Sequence, residues 1–153
     1  MGELLHVLIQ FMLSFIASMG FGIIFNAPRK SLLQCGVVGS VGWVPYILLV
    51  DAGVDAVQAS FVGAFAVALI GHVMAKTYRT PVIIFSVAGI IPLVPGGLSY
   101  DTMRHAASNE YLAAIPLAAK AFMISGAIAM GLVFAEVFVQ LVLKSKEALK
   151  RRV

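Results

Sequence analysis

Apolar residues are grouped into five long stretches, which short polar segments separate. The stretches cover about residues 4–25, 32–50, 54–75, 81–98 and 115–143, and a basic segment, 144–153, follows the last one. About 20 apolar residues in a helix cross the ~30 Å hydrocarbon core of a bilayer. The pattern therefore predicts an all-α fold, a polytopic membrane bundle of about five transmembrane helices, with residues 1–153 forming one transmembrane domain.

The fourth stretch, PVIIFSVAGIIPLVPGGLSY, is interrupted near its end by Pro92, Pro95, Gly96 and Gly97. Proline removes an amide donor from a helix, and glycine permits backbone angles outside the helical region. The pattern predicts that the backbone leaves helical geometry here. Irregular backbone at membrane depth persists only where protein buries it or where it lines a wet cavity. Two interpretations stay open: a broken helix that lines a pathway, and a helix that ends at Ile91 in an exit turn.

Composition supports a membrane protein and excludes other classes. Hydrophobic residues make up 61% of the chain and charged residues 12%, with a mean hydropathy of +0.99, whereas soluble domains are about half apolar and a quarter charged. The net charge is +4, but the basic residues lie at helix ends, which indicates lipid headgroups and not nucleic acid as their neighbours. The single cysteine, Cys35, excludes a disulfide within the chain.

The distribution of basic residues predicts the orientation of the chain in the membrane. Five spans place most lysines and arginines on one side, namely Arg29, Lys30, Lys76, Arg79, Lys144, Lys146, Lys150, Arg151 and Arg152. Short loops rich in lysine and arginine stay in the cytoplasm. We therefore expect a cytoplasmic C-terminal tail, an N-terminus outside, and the Asp51 to Asp55 turn outside.

Small residues recur every four positions within the stretches, which aligns them on one face of each helix. Helices associate in membranes by close packing, and small side chains permit close approach. The pattern predicts a tightly packed bundle. The aligned residues are Ser14, Ser18 and Gly22, then Ala56, Ser60, Ala64 and Ala68, and finally Ala127, Gly131 and Ala135.

Three ionisable side chains, His72, Lys120 and Glu136, interrupt the apolar stretches. A charge at the bilayer centre costs about 2.5 to 3.5 kcal/mol on insertion scales, so such a group usually faces the bundle interior or a cavity. His72 and Lys120 lie near helix ends, and a lysine stem can extend to the interface, so a structural or interfacial role is predicted for both. Glu136 lies deeper, and we predict that it faces the bundle or a partner.

The sequence carries none of the common motifs of catalysis. The chain has no zinc-spaced cluster of histidine and cysteine, no G-x-S-x-G and no Walker loop. The segment SYDTMRHAASNEY, between the fourth and fifth stretches, contains Ser99, Asp101, His105 and Glu110, which are expected to be solvated loop residues. We therefore expect that the chain is not an enzyme and that it uses neither a cofactor nor a metal.

Two segments are similar to a known family. FNAPRK follows the first stretch, and TPVIIFSVAGIIPLVPGGLSY contains the fourth. With the number and order of the spans, they resemble the membrane half of the threonine/serine exporter (ThrE-like) family, in the version where two chains form the transporter. The resemblance extends over essentially the whole chain, and IPLVPGG is its most specific part. It implies the small membrane subunit of a secondary exporter of small hydrophilic metabolites in a bacterial inner membrane.

The resemblance also implies substrates and a partner. Threonine and serine are the substrates of the family, and small dicarboxylates such as succinate are the alternative for two-chain members. The expected partner is a larger ThrE-like membrane subunit with a cytoplasmic domain, and association with further copies of this chain stays open. An odd number of spans lets this half lie inverted relative to its partner, as in many secondary transporters with a site at the midplane.

A pathway for a ligand requires a cavity, unpaired backbone groups and one or two charges within the membrane. The residues that offer these features are Pro92, Pro95, Gly96, Gly97, Tyr100, Lys120 and Glu136. The alternative function, from a different class, is a membrane subunit that assembles or stabilises a complex without transporting anything.

Overall fold

The computed structural model describes the backbone of residues 2–150 and the side chains of residues 4–145. Every regular element between residues 2 and 150 is a helix, which confirms the predicted all-α fold. The α-helices are α1 (Gly2–Ile24), α2 (Leu32–Asp51), α3 (Ala56–Tyr78), α4 (Val82–Ile90), α5 (Gly96–Ala107) and α6 (Tyr111–Lys150), with 3-10 turns at Arg29–Ser31 and Ile91–Leu93.

Four helical segments of the described chain are long and apolar enough to cross a membrane by themselves. They are Leu4–Ile24, Arg29–Asp51, Ala56–Tyr78 and Tyr111–Ser145. The segments Val82–Leu93 and Gly96–Ala107 satisfy the same criterion only together, and they meet at an angle of 57°. This bent pair is either one broken span or a loop that returns to the side on which it began.

The direction of α6 decides between these two topologies. Gly131 lies against Ala64 of α3, and further along both helices Glu136 lies 2.8 Å from His72. Because the contact positions advance together, α3 and α6 run in the same direction. A returning loop would make them antiparallel, so α4 and α5 together lead from one end of the bundle to the other. Counted as one span, this pair brings the candidate spans of the described chain to five.

The two ends of the bundle differ in charge. Asp51 is the last residue of α2, and Asp55 lies in the turn that follows, where its carboxylate accepts a hydrogen bond of 2.9 Å from the Val57 N–H and caps α3. We call this the acidic end. The opposite end, defined by Arg29, Lys30, Lys76 and Arg79, is called the basic end.

The predicted close packing through small residues is confirmed. An added Cβ at Gly63 of α3 would lie 2.9 Å from the carbonyl oxygen of Gly42, so α2 and α3 touch backbone to backbone. Helix α3 packs on α2, α4 and α6 and is therefore central. The buried small residues of the aligned sets include Ser14, Ser18, Ser60, Ala64, Ala68 and Ala135.

The predicted polar loop after the fourth stretch is wrong, because most of it forms α5. The segment contains no proline or glycine, and one side of α5, which includes the half-buried Leu98 and Thr102, packs on α6. The loop is reduced to residues 108–110, with Asn109 in the left-handed region at φ 61°. Helix α6 therefore begins at Tyr111, four residues before the predicted 115.

Other span limits shift by a few residues. Helix α3 begins after its cap at Asp55 and continues to Tyr78, where residues 54–75 were predicted. Helix α6 continues to Lys150, so most of the predicted tail extends this helix. Residues 151–153 of that tail lie outside the described residues.

Candidate functional site

The break between α4 and α5 results from two prolines three residues apart. Pro92 and Pro95 both lack an amide donor, so a single turn loses two of its hydrogen bonds. The backbone tightens into the 3-10 turn Ile91–Leu93, extends at Val94 (φ −63°, ψ 129°) and resumes as α5 at Gly96. The predicted interruption of the fourth span is therefore present, and a second helix follows it instead of an exit turn.

Local turns satisfy several backbone groups at the break. The Val94 N–H donates to the Ile91 carbonyl at 3.2 Å, and the Gly96 N–H donates to the Val94 carbonyl at 2.7 Å. The Pro95 carbonyl accepts from both the N–H and the hydroxyl of Ser99, at 3.0 and 2.9 Å. These backbone groups of the break therefore need no ligand as a hydrogen-bond partner.

The amides at the start of α5 are the exception. The first turn of any helix leaves N–H groups without an acceptor inside the helix, and here they belong to Gly97 and Leu98. Pro95 occupies the capping position and offers no side-chain acceptor. Uncapped amides and the positive end of the helix dipole favour negatively charged groups.

Protein surrounds the turn that precedes these amides. Leu93 is only 4% exposed, and its side chain lies beside Gly63, where an added Cβ would be 2.9 Å away. The 3-10 turn also packs on α1 and α2. Neighbouring helices thus enclose the 3-10 turn, whereas Val94, which follows it, is 48% exposed.

Gly96 and Gly97 do not have the backbone role that was predicted for them. Both are the first residues of α5, and neither has a positive φ; among the described glycines only Gly53 does, at 86°. An added Cβ on either would meet no atom within 4 Å. The prediction that they take the backbone out of helical geometry is wrong, because Pro92 and Pro95 have already ended α4 before the glycines begin α5.

Tyr100 and Lys120 point away from the packed bundle. Tyr100 lies one turn into α5 and is 70% exposed. Lys120 is an exposed residue of α6, and within the described part of the chain its side chain takes part in no ion pair. Both side chains are thus available to lipid, water or another chain.

Glu136 forms the polar contact between α6 and α3. Its Oε2 lies 2.8 Å from Nε2 of His72, and its Oε1 accepts a hydrogen bond of 2.9 Å from the Gln140 amide. The Glu136 side chain is 50% exposed and that of His72 18%. Glu136 therefore faces a neighbouring helix with one oxygen and remains open on its other side.

The candidate residues lie at three separate depths. Pro92, Pro95, Gly96, Gly97 and Tyr100 share the break, which lies at the level of Gly63 in the acidic half. His72 lies nine residues further along α3, which is about 14 Å toward the basic end at 1.5 Å per residue. Glu136 of α6 lies beside it. Lys120 precedes Glu136 by 16 residues, or about 24 Å of helix. The chain alone therefore does not bring these charges to the break.

Sequence reasoning considered His72 and Glu136 separately and missed that they pair. The signal was their position relative to the first lysine that follows on the same helix, since His72 precedes Lys76 by about one turn and Glu136 precedes Lys144 by about two. It also missed a chain of polar contacts at the acidic end. There, Trp43 Nε1 donates to Gln10 at 2.9 Å, and His6 lies 3.7 Å from Asp51.

No group of three or more histidine, cysteine, aspartate or glutamate side chains that could hold a metal ion occurs within the described residues. An apolar cavity of about 240 Å³ lies at the basic end between α1 and α4. Its lining includes Phe25, Asn26, Ile83 and Val87, and it reaches neither the break nor Glu136.

The chain matches the family model described as Threonine/Serine exporter, ThrE, over residues 10–138. The matched range begins in α1 and ends in α6, so it includes the break, His72 and Glu136. No solved structure matches the chain.

Proposed function

We propose that the chain is the membrane subunit of a secondary transporter that exports small hydrophilic metabolites, because it belongs to the threonine/serine exporter (ThrE) family. The family is one of transporters, and the helices are those of a multi-pass membrane protein. The substrates that we propose are threonine and serine or, alternatively, small dicarboxylates such as succinate.

The broken span is the observation that carries this proposal. The uncapped amides of Gly97 and Leu98 start the second helix of a bent pair that together is long and apolar enough to span a membrane. In secondary transporters, the positive ends of such half-helices point at anionic groups of the substrate. Threonine, serine and dicarboxylates all carry a carboxylate, so this feature fits each of them, and the two prolines, the two glycines and Tyr100 are the residues proposed to line the pathway.

A larger partner subunit is proposed because the surface around the break is open. None of the α5 side chains is buried, and α1 and α6 are less buried than the central α3. A transport pathway needs walls on all sides. An inverted second half supplied by a partner would cover α5 and bring further polar groups to the break. Lys120 and Glu136, both exposed on α6, are proposed to face that half.

The proposed location is a bacterial inner membrane, with the N-terminus outside and the C-terminus in the cytoplasm. The support is the concentration of Arg29, Lys30, Lys76 and Arg79 at the basic end, because basic loops stay cytoplasmic. Under this orientation the break lies in the outer half of the bundle and Glu136 in the inner half.

Replacing Gly96 or Gly97 by valine tests the pathway. An added Cβ at either position touches nothing within the chain, so the variants are expected to insert and to assemble normally. If substrate approaches the main chain there, the valine side chain blocks it and flux falls sharply. Flux is measured by counterflow in liposomes and normalised to the amount of chain that co-purifies with the larger subunit.

Gly20→Val is the matched control, because an added Cβ on Gly20 of α1 also meets nothing within 4 Å. It is expected to leave normalised flux unchanged. Near-normal flux per assembled complex in both Gly96→Val and Gly97→Val would contradict the pathway and would favour the alternative of a non-transporting assembly subunit.

A further inference from the structure

The contact between His72 and Glu136 requires hydrogen atoms at particular positions. Nδ1 of His72 lies 2.9 Å from the carbonyl oxygen of Ala68, and Nε2 lies 2.8 Å from Oε2 of Glu136. A carbonyl oxygen can only accept, so Nδ1 must carry a hydrogen and donate it. In a neutral imidazole the other nitrogen then presents a lone pair.

An ionised carboxylate also presents only lone pairs. Two acceptors do not approach to 2.8 Å without a hydrogen between them. The contact therefore holds one proton more than a neutral imidazole facing an ionised carboxylate, whether that proton lies on Nε2 or on Oε2.

We propose that His72 and Glu136 form a binding site for a single proton between α3 and α6, and that loss of this proton releases α6 from α3 in the basic half of the bundle. The inference goes beyond the proposed function, since it requires neither a substrate nor a partner subunit.

Among the described residues, the pair of His72 and Glu136 is the polar side-chain contact between α6 and the first four helices. Elsewhere the described contacts of α6 with α3 are apolar, with Phe134 edge-on to Phe61 at 5.8 Å between ring centroids, and with Gly131 against the backbone. Those contacts are independent of pH. When the proton is absent, the lone pairs of Nε2 and Oε2 repel each other, so this part of the interface separates while the Gly131 crossing persists.

Few other ionisable side chains near His72 and Glu136 could compensate the negative charge that stays on the pair when the proton is lost. Along α3 the nearest ionisable side chain is Lys76, and along α6 it is Lys144. Helix α4 carries none, and α2, the other neighbour of α3, carries Cys35 and Tyr46 within it and Asp51 at its far end. Asp101, Arg104 and His105 belong to α5, which precedes the opposite end of α6 along the chain.

The ring tautomer of His72 is the first test. Nitrogen-15 magnetic resonance of the full chain in liposomes, with labelled histidine and His72→Gln to assign the signal, distinguishes Nδ1 from Nε2. Nδ1 is expected to stay protonated at every pH, and Nε2 is expected to lose its hydrogen-bonded signal as pH rises. A ring protonated on Nε2 alone would overturn the proposal, because that tautomer donates to an ionised carboxylate without an extra proton.

Movement of α6 is the second test. Spin labels at Thr77→Cys and Ser145→Cys, two exposed positions near the basic ends of α3 and α6, report the separation of the helices in a Cys35→Ser background. The distance distribution is expected to shift to longer values as pH rises.

Glu136→Gln is the matched control for this movement. Its amide can donate a hydrogen to Nε2 without any added proton, so the short distance is expected at every pH, whereas Glu136→Ala should give the long distance at every pH. The same pH response in the unaltered chain and in Glu136→Gln, or no response in either, would contradict the proposal.

Discussion

Glycines at helix crossings determine how closely the helices of this bundle approach. Gly131 is the tightest point between α6 and α3, since an added Cβ would lie 2.6 Å from the Phe61 carbonyl oxygen and 3.1 Å from the Ala64 Cβ. The Phe61 oxygen is a backbone atom and the Ala64 Cβ is bonded directly to the backbone, so neither can rotate away. Gly126, on the same helix, has no atom within 4 Å of an added Cβ, so it has no comparable packing role within this chain.

This difference predicts opposite effects of the same substitution. Gly131→Ala is expected to lower the free energy of unfolding by about 1–3 kcal/mol, because overpacking forces the helices apart. Gly126→Ala is expected to be neutral or to raise it by up to about 1 kcal/mol, since alanine is the better helix former. Reversible unfolding in mixed detergent micelles measures both. Equal losses of stability would mean that α6 does not cross α3 at Gly131.

At the scale of elements, the spacing of prolines decides whether a helix breaks. Pro45 lies inside α2 and Pro116 inside α6, and both helices continue through them. One proline removes a single donor, and a neighbouring carbonyl in the same turn can adjust. Pro92 and Pro95 remove two donors within one turn, and the chain bends by 57°. The bend therefore depends on the pair of prolines.

Restoring both donors is expected to straighten the span. A continuous helix from residue 83 to residue 107 would place the two positions about 36 Å apart at 1.5 Å per residue, and the bend shortens this distance. Spin labels at the exposed Ile83 and Ala107 in a Cys35→Ser background are expected to move apart by several ångströms in the double variant Pro92→Ala, Pro95→Ala.

Pro116→Ala serves as the control for that measurement, because Pro116 lies in a continuous helix. It should leave the distance between the two labels unchanged. An unchanged distance in the double variant as well would mean that packing of Leu93 among its neighbours, and not the missing donors, produces the bend.

At the scale of the whole molecule, α6 is unusual in its length. Its 40 residues extend for about 60 Å, twice the hydrocarbon core. About 30 Å of α6 precedes the Gly131 crossing, whereas only about 12 Å of α3 precedes Ala64. The first part of α6 therefore extends past α3 at the acidic end, where Leu112 and Phe122 are highly exposed. These side chains are expected to contact lipid or the proposed larger subunit.

The proposed orientation of the chain gives a prediction for the whole molecule. A cysteine at the exposed Ala52, in the acidic turn, is expected to react with an impermeant reagent added outside the cell. A cysteine at the exposed Thr77, at the basic end, should react only from the cytoplasm. The unaltered chain is the control, since its single cysteine, Cys35, is fully buried. Labelling of position 52 from the cytoplasm alone would reverse the proposed orientation.

Local features of the sequence determined the class of fold and the place of the break. A run of about 20 apolar residues is enough to predict a transmembrane helix, and four of the predicted spans became single continuous helices. Missing proline donors act within one turn, so Pro92 and Pro95 predicted the interruption correctly. Small residues at four-residue spacing predicted the packing faces, because that spacing alone aligns them.

Only the tertiary structure decided what depends on distant parts of the chain. The polar segment after the break became α5 because α6 packs against one side of it, and a sequence pattern does not include that neighbour. The open surroundings of Gly96 and Gly97 were likewise invisible in the sequence. His72 and Glu136 lie on different helices, and their contact follows from the parallel crossing of α3 and α6 at Gly131. Hydropathy and helix periodicity are properties of single segments, whereas the partner of a side chain is fixed by how the helices pack.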